Sequence, residues 1–363
     1  MSGRLPLLLV GAGAMGRTWA AALDGSADAE LVGVVDLDVD AARRAAADLG
    51  RPDLPVGADL LEVAGRTGAA GVVDVTVPAA HHVVTQTALR AGLPVLGEKP
   101  VAATLPQALS LAATADVTGR LFMVSQSRRW LPEVDALRAA VGRLGALGTA
   151  TVHFAKAPHF GGFREEMAHP LLVDMAIHAL DCARFVLDAE PVTVWCTSGN
   201  PPWSWYAGDA EATVVVGTDR GARLVYTGSW CAPGAETSWN GAWRVSGEHG
   251  TALWDGDAAP VLALGDAEPE VVDVVDGPRE VRGALAAFCD ALRTGARPWG
   301  EVHANVLSLA TVEAAVASAA TGQRVDVDEL LARAHATAVA DERHDDVRAA
   351  LAGWSSVRAA LAG

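Results

Sequence analysis

The sequence reads LPLLLVGAGAMG from Leu5 to Gly16, and this stretch decides the fold of the N-terminal part of the chain. The apolar run Leu5–Val10 predicts a buried strand that leads directly into a glycine-rich turn. An alanine-rich helix is predicted to follow as far as Leu23, and a second strand is predicted at 30–35. This order of strand, turn, helix and strand is typical of the beginning of a parallel α/β sheet.

The glycines of this turn meet different steric requirements. Gly11 allows the tight turn, Gly13 lets a pyrophosphate approach the backbone, and Gly16 lets the helix pack closely on the strand. Ala14 and Met15 lie with them at the start of the predicted helix, where backbone N–H groups attract phosphate. In this context the G-x-G-x-x-G spacing predicts a dinucleotide-binding site.

Asp36 indicates which dinucleotide binds, because it follows the second predicted strand. A carboxylate at this position accepts hydrogen bonds from ribose hydroxyls and repels a 2′-phosphate. Arg43 and Arg44, on the next predicted helix, could weaken that discrimination. We therefore expect NAD as the cofactor in preference to NADP.

Strands and helices continue to alternate through the first third of the chain. Strands are predicted at 71–77, 93–96 and 120–125, and a helix is predicted at 82–91. Regular alternation predicts a doubly wound parallel sheet, a Rossmann domain over residues 1–125. Ligands bind such sheets at the carboxyl ends of the strands.

Lysine is the rarest charged residue in this chain, since Lys99 and Lys156 are the only lysines among 28 basic residues. Where arginine supplies almost every positive charge, a remaining lysine indicates a need for a compact ammonium that can exchange a proton. Lys99 follows a predicted strand within Glu98-Lys99-Pro100, so we expect it at the cofactor edge of the sheet. Lys156 is either a substrate contact or a surface residue.

The pattern changes near residue 149 to short strands separated by turns rich in Gly, Asp and Pro. One helix, 167–188, is inserted among them, and this predicts an α+β domain over 126–330 with a largely antiparallel sheet. We expect the helix to cover one sheet face and the other to stay open for subunit contact. Strands are predicted at 151–156, 192–198, 212–218, 222–230 and 243–246.

Three apolar side chains of the predicted strand 222–230 recur with a period of two. They are expected on the open face of that sheet: Leu224, Tyr226 and Trp230. Residues 331–363 follow as a C-terminal helical extension, and the last helices before it are expected to pack back on the first domain.

Asp174, His178 and Asp181 have the spacing i, i+4, i+7, which places them on one face of the inserted helix. Most other residues of that helix are apolar, so the helix is expected to be buried. Two acids and a histidine on a buried face require a polar cavity or partners in the core, such as Arg184. The sequence leaves both interpretations open.

Taken together, these motifs resemble the Gfo/Idh/MocA oxidoreductases, the family of glucose–fructose oxidoreductase, inositol dehydrogenase and a rhizopine-catabolism protein. The resemblance covers about 5–330 and implies that subunits associate through the second domain's sheet as dimers or tetramers. The matching residues are the Gly11 fingerprint, Pro78 with His82, Glu98-Lys99-Pro100, Arg129 in Ser127-Arg128-Arg129-Trp130, and Asp174, His178 and Asp181.

The resemblance also implies roles for single residues. Pro78, His82 and Glu98 are expected at the cofactor site, and the Lys99–Pro100 peptide is expected to be cis. Arg129 is expected either to contact substrate or to support the structure.

The residue types at Lys99, Asp174 and His178 fit the oxidation of a secondary alcohol. An imidazole titrates near neutrality, so His178 can take the hydroxyl proton, and Lys99 can stabilise the developing alkoxide. Asp174 would orient the hydroxyl or His178. We expect hydride transfer between nicotinamide and a sugar, an amino or deoxy sugar, or a cyclitol. The alternatives are an NAD-dependent glycoside hydrolase that oxidises its sugar transiently, and a non-catalytic dinucleotide sensor.

Composition excludes several other classes of function. The net charge of −16 argues against nucleic acid or an anionic membrane as a partner. The apolar run Leu5–Val10 is too short for a secretory signal, and four scattered cysteines fit reduced thiols in the cytoplasm. There is no HExxH motif or Cys/His cluster, so no metal site is expected. Eleven tryptophans against two tyrosines suit sugar binding, although most are expected to serve packing.

Overall fold

The computed structural model describes residues 3–362, which fold as two units. The first unit contains the chain up to Ser127, then Pro278–Val306, and then the chain from Ala332 onwards. The second unit contains Arg128–Gly277 and Leu307–Leu331. The predicted boundary at 125/126 lies close to this division. Pro278–Val306 lies within the predicted 126–330 but belongs to the first unit, in line with the expectation that the last helices of that range pack back on the first domain.

The first unit is built on a six-stranded parallel sheet of order β3-β2-β1-β4-β5-β6, with a core of the apolar strands and the helices packed on them. The Rossmann fold is thereby confirmed. Its strands are β1 Leu5–Val10, β2 Ala29–Val35, β3 Val56–Gly57, β4 Gly71–Asp74, β5 Val95–Glu98 and β6 Phe122–Ser125. Its first helices are α1 Ala14–Asp24, α2 Val39–Asp48, α3 Leu60–Thr67, α4 Pro78–Arg90 and α5 Leu105–Thr118.

Local sequence explains where these helices begin. The carboxylates of Asp38 and Asp59 accept backbone N–H groups at the starts of α2 and α3. Pro78 occupies the first position of α4, where a missing N–H costs nothing and the fixed φ suits a helix. The helix therefore begins four residues before the predicted 82–91, and β4 ends correspondingly early.

The second unit contains a nine-stranded sheet of order β14-β13-β12-β11-β7-β10-β9-β8-β15, in which only β7 and β10 pair in parallel. The expected largely antiparallel sheet is confirmed. Its strands are β7 Leu147–Ala155, β8 Pro191–Gly199, β9 Glu211–Thr218, β10 Arg223–Ser229, β11 Ala242–Gly247, β12 Gly250–Trp254, β13 Val261–Leu264, β14 Glu270–Val271 and β15 Val325–Asp326. Its helices are α6 Pro132–Val141, a π-helix Leu171–Ala176 and α7 Ile177–Leu187, and short 3-10 helices lie at Ser127–Trp130 and Gly162–Arg164.

The π-helix and α7 cover one face of this sheet. Leu224, Tyr226 and Trp230 are 3%, 1% and 1% exposed, and β10 packs against both helices, so the expectation that these residues lie on the open face is wrong. A period of two shows which side chains share a face but does not show which face is covered. The opposite face carries one cross-strand row, formed by Trp195, Val215, Val225, Thr151, Arg244 and Leu253.

The C-terminal part of the chain is helical. The predicted helical extension over 331–363 is interrupted at Gly353, which ends one helix before the next begins. Within the first unit α11 packs on α5. The helices are α8 Glu280–Thr294, α9 Val302–Thr321, α10 Val327–Asp341, α11 Asp345–Ala352 and α12 Val357–Ala362.

The helix α9 is long and apolar. By length and composition alone it could cross a membrane, and 61% of its most apolar window is buried, as in the core helix of a soluble protein.

Near the start of α9, His303 links two elements of the first unit. The His303 Nδ1 lies 2.6 Å from a Glu301 carboxylate oxygen, and its Nε2 lies 3.1 Å from an Asp116 carboxylate oxygen on α5.

Candidate active site

The glycine turn after β1 has the geometry that its sequence predicts. Gly11 has φ of +102°, and a Cβ on it would lie 2.7 Å from the Val75 carbonyl oxygen. A Cβ on Gly16 would lie 2.2 Å from the Gly11 carbonyl oxygen, so only glycine lets α1 begin this close to the turn. A Cβ on Gly13 would meet no atom within 4 Å. The backbone there faces open space, and the turn fits a dinucleotide pyrophosphate.

Exposed residues surround this turn at the carboxyl ends of β1 and β4. Ala14 and Met15 form the first turn of α1 and are exposed, and no side chain caps that helix. Its first backbone N–H groups therefore have no capping side chain and suit an anionic ligand. Pro78 is exposed at the start of α4. The predicted cofactor residues of these segments share one edge of the sheet.

Asp36 is fixed by two backbone hydrogen bonds at the end of β2. One carboxylate oxygen accepts the Ala12 N–H at 2.7 Å, and the other accepts the Asp38 N–H at 2.9 Å. The carboxylate is thus tied directly to the glycine turn. This contact brings an acid at the end of β2 to the glycine turn that follows β1.

Arg43 and Arg44 are paired with acids of their own segment. Arg44 lies 3.1 Å from Asp38, and Arg43 lies 2.5 Å from Asp40, both measured between guanidinium nitrogen and carboxylate oxygen. Both pairs are exposed, so each contributes little to stability. They do place a carboxylate beside each guanidinium, which reduces its availability to a 2′-phosphate.

Glu98 positions the segment that carries Lys99. The Trp19 indole donates to one Glu98 carboxylate oxygen at 2.8 Å, and the Lys99 backbone N–H donates to the other at 3.0 Å. Burial raises the pKa of Glu98, and these hydrogen bonds oppose the rise. The Lys99–Pro100 peptide is cis, as the resemblance implies. Lys99 itself is half-buried at the carboxyl end of β5.

The histidine that touches this edge is His81. Its Nδ1 lies 2.8 Å from the Pro100 carbonyl oxygen, and its Nε2 lies 3.0 Å from the Thr76 carbonyl oxygen. The ring of His82 instead lies 2.9 Å from the Ser110 hydroxyl, and burial lowers the pKa of His82. His81 therefore connects the loop after β4, at Thr76, with the loop after β5, at Pro100. Cofactor binding by His82 stays a prediction.

In the second unit the predicted helix begins with the π-helix that carries Asp174. The Arg164 Nε donates to an Asp174 carboxylate oxygen at 2.6 Å, and both side chains are partly exposed. His178, on α7, is 9% exposed. A π-helix has more residues per turn than an α-helix, so it shifts Asp174 relative to an ideal i, i+4, i+7 stripe. Such turns are frequent at functional sites.

Asp181 belongs to a buried network and not to the partly exposed pair of Asp174. Arg129 donates to its two carboxylate oxygens at 2.5 and 2.8 Å, and the Ser308 hydroxyl donates to it at 2.5 Å. Arg184 joins the network through Ser308 at 2.6 Å and pairs with Glu190. With Arg129 only 4% exposed, this geometry favours its supporting role, and its contact with substrate stays a prediction.

Lys156 is already ion-paired. Its Nζ lies 2.8 Å from a Glu236 carboxylate oxygen and 5.3 Å from the centre of the Trp239 ring, and its side chain is 14% exposed. Its contact with substrate stays a prediction. Among the tryptophans of the second unit, Trp230 is buried and Trp203 is 60% exposed, so these tryptophans serve both packing and surface.

Burial shapes the chemistry of the cysteine thiols. The four cysteines are free and buried, and burial raises the pKa of Cys182, Cys196 and Cys289 to about 12. Within residues 3–362 no group of three or more His, Cys, Asp or Glu side chains could hold a metal ion.

Sequence reasoning missed Trp19, His81 and Arg164. Trp19 and Arg164 contact acids 79 and 10 residues away, and no local pattern connects either pair. His81 is the immediate neighbour of His82, the histidine that the resemblance indicates. A helical projection of α4 would have separated the two neighbouring rings, because adjacent helical residues point about 100° apart.

Comparison with known proteins agrees with this description. Residues 5–126 match the model of the oxidoreductase family with an NAD-binding Rossmann fold (GFO_IDH_MocA), and residues 136–253 match the GFO/IDH/MocA C-terminal domain. Together the two matches cover well over half of the chain.

Several relatives match this chain over most of their own length. An uncharacterized protein, y4oX of Sinorhizobium fredii, is 31% identical over 90% of this chain and 96% of its own length. The 1,5-anhydro-D-fructose reductase of Ensifer adhaerens is 27% identical over 88% of this chain and 98% of its own. The crystal structure of a putative myo-inositol dehydrogenase from Sinorhizobium meliloti superimposes with a TM-score of 0.74 at 25% identity, covering 89% of this chain and 99% of that one. The chain belongs to the GFO/IDH/MocA family of NAD-binding oxidoreductases.

Proposed function

We propose that this protein transfers a hydride between a nicotinamide cofactor and a secondary alcohol or ketone of a sugar or cyclitol. The observation that carries the proposal lies within the first unit. Lys99 follows β5 at the same sheet edge as the Gly11–Gly16 turn, and Glu98 holds its backbone there. An ammonium at the dinucleotide edge suits a reaction in which negative charge develops on a substrate oxygen. Relatives named as a sugar reductase and an inositol dehydrogenase support the substrate class.

The proposed catalytic residues divide the work of proton transfer, charge stabilisation and orientation. Oxidation breaks a C–H and an O–H bond of the substrate and forms a C=O bond. When bound, the oxidised nicotinamide supplies the acceptor for the hydride and its two electrons. His178 takes the hydroxyl proton, Lys99 donates a hydrogen bond to the same oxygen, and Asp174 orients the hydroxyl or His178. In the reverse direction His178 returns the proton.

We propose NAD as the preferred cofactor. The Asp36 carboxylate, tied to the glycine turn through Ala12, lies where a 2′-phosphate would meet negative charge. The pairing of Arg43 and Arg44 with acids adds support, because neither guanidinium is left without a nearby carboxylate.

We further propose a cytoplasmic homodimer or homotetramer that uses the open face of the nine-stranded sheet. Four of the six residues in the cross-strand row on that face are apolar, namely Trp195, Val215, Val225 and Leu253, with Trp195 40% and Leu253 38% exposed. Apolar sheet faces of this kind are typical of protein contacts. Free, buried cysteines agree with a reducing compartment.

The decisive experiment incubates the protein with sugars and inositols in the presence of NAD or NADP. We expect NADH to form with at least one polyol, and the oxidised product to be identified by mass spectrometry. A Lys99→Arg variant should retain cofactor binding and lose most of its turnover, because a guanidinium is larger and does not exchange its proton. Cleavage of a glycoside without net NADH, or full activity in Lys99→Arg, would contradict the proposal.

A further inference from the structure

The ion pair of Arg164 with Asp174 leaves part of the guanidinium unused. Only the Arg164 Nε donates to Asp174, at 2.6 Å. A guanidinium carries five N–H donors in a planar fork, and its two terminal nitrogens carry four of them. Within residues 3–362 those two nitrogens have no hydrogen-bond or salt-bridge partner. The side chain is 35% exposed, so a ligand can reach it.

Aromatic rings hold this guanidinium in place. Its central carbon lies 5.3 Å from the centre of the Phe160 ring and 4.9 Å from that of Phe163. Phe160 packs in turn on the buried Trp230, with ring centres 5.3 Å apart. Cation–π contacts of this kind favour a guanidinium near an aromatic face and leave its nitrogen edge for hydrogen bonds. The aromatic contacts therefore order the Arg164 guanidinium, and part of its hydrogen-bonding capacity stays unused.

The chemistry of this edge selects one kind of ligand group. A carboxylate matches the guanidinium fork with two parallel hydrogen bonds, and an arginine can bridge two carboxylates at once. A phosphate monoester carries nearly two negative charges and would stand close to the charge of Asp174 with one arginine to compensate them. Lys156, another cation near these aromatic residues, is occupied by Glu236 at 2.8 Å.

We propose that Arg164 is a specificity residue that binds a carboxylate of the substrate, so that the enzyme acts on sugar acids in preference to neutral sugars. The inference rests on the proposed function, because it names the substrate class of the same site. Arg164 would bridge Asp174 and the substrate carboxylate, and the hydroxyl to be oxidised would lie on another carbon of the same molecule.

The test compares matched substrates in wild type, Arg164→Gln and Arg164→Lys. The pairs are glucuronate with glucose, galacturonate with galactose and gluconate with sorbitol, and glucose 6-phosphate is added as a dianionic probe. We expect higher kcat/KM for the acids in wild type. Arg164→Gln should lower kcat/KM for the acids on the order of 10- to 100-fold, mainly through KM, and change the neutral sugars far less. Arg164→Lys should fall between.

The control is Arg220→Gln, which removes another exposed arginine paired with an acid, Asp188, and should leave all values unchanged. An equal loss on acids and neutral sugars in Arg164→Gln would overturn the proposal, since Arg164 would then only position Asp174. A preference for glucose 6-phosphate would overturn it as well.

A binding measurement separates this proposal from the proposed function. Calorimetry with the NAD-loaded protein measures the affinity for each acid without requiring turnover. Affinity for sugar acids that is lost in Arg164→Gln, without any NADH formation, would support the role of Arg164 and contradict hydride transfer. Turnover of neutral sugars with no binding of acids would support hydride transfer and overturn the role of Arg164.

Discussion

Gly13 and Gly16 lie in the same turn but lack a side chain for different reasons, and alanine substitution should separate them. A Cβ on Gly16 would overlap the Gly11 carbonyl oxygen, so Gly16→Ala should destabilise the protein by about 1–3 kcal/mol. A Cβ on Gly13 meets open space, so Gly13→Ala should leave the free energy of unfolding unchanged or slightly higher. Urea unfolding measures both.

Gly13→Ala, which is expected to keep the stability of the protein, should instead impair cofactor binding. Gly13→Ala places a methyl where the pyrophosphate is expected and should weaken NAD at least about 10-fold, as measured by calorimetry. If Gly13→Ala bound NAD as wild type does, the open space beside Gly13 would not be the phosphate site.

Asp36 should control the choice between NAD and NADP. Asp36→Ser removes the negative charge and the acceptor of the Ala12 N–H, so the KM for NAD should rise on the order of 10-fold and the preference over NADP should shrink. Steady-state kinetics with both cofactors tests this. Asp48→Ser, which removes an exposed acid at the end of α2, is the matched control and should change neither value. An unchanged NAD/NADP ratio in Asp36→Ser would argue that the ribose lies elsewhere.

The part of the site that could be predicted from the sequence is the part that follows short-range rules. The Gly11–Gly16 turn, Asp36 and Lys99 each come directly after a strand, and parallel strands bring their carboxyl ends to one edge. The contacts of Arg164 and His81 depend on where a loop folds back, and no spacing in the sequence encodes that. Arg129 was ambiguous for the same reason, since its partner Asp181 lies 52 residues away.

His303 ties α5 to the start of α9 and should make stability depend on pH. The neighbouring carboxylates of Asp116 and Glu301 raise the pKa of His303 to about 9 against the opposing effect of burial. Because the folded pKa lies above the unfolded value, the charged ring stabilises the fold fully below about pH 6.5. That contribution, about 3 kcal/mol from the pKa difference, is lost as pH rises through 9.

Urea unfolding at pH 6.5, 8 and 9.5 measures this loss. The stability difference between wild type and His303→Gln should shrink across the range, because the variant lacks the titrating ring. A constant difference would mean that the ring contributes by packing and not by charge.

The elements themselves were predictable to different degrees. β1 was predicted at Leu5–Val10 and is found there, since a short apolar run bounded by glycine allows little else. The π-helix Leu171–Ala176 was not predicted, because the sequence around Asp174 is equally compatible with an ordinary α-helix. The covered face of β10 was assigned wrongly, because alternation does not specify which side the helices pack on.

The open sheet face should mediate self-association. Trp195→Asp replaces an exposed indole by a charge beside Val215 in the cross-strand row and should convert the oligomer to monomers, as measured by light scattering after gel filtration. Val275→Asp makes the same change at a residue that is 84% exposed outside the sheet, and it should leave the oligomer intact. A monomeric wild type, or an oligomer that tolerates Trp195→Asp, would contradict this use of the face.

The first unit is assembled from three separated parts of the chain. The Ser110 hydroxyl on α5 donates to Glu342 at 2.5 Å, and Arg90 on α4 pairs with Asp346 at 3.0 Å. These bonds join the Rossmann helices to residues more than 230 positions later. Sequence patterns identify each helix, but they do not reveal which distant helices share a core.

This discontinuity has a consequence for synthesis on the ribosome. All six strands of the parallel sheet have been synthesised once Ser125 is translated. Ser110 and Arg90, however, cannot form their contacts until Glu342 and Asp346 are synthesised. During that interval the helix surface that α11 later covers is open to water and to chaperones. The nascent chain therefore reaches its full set of native contacts only after translation has passed the second unit.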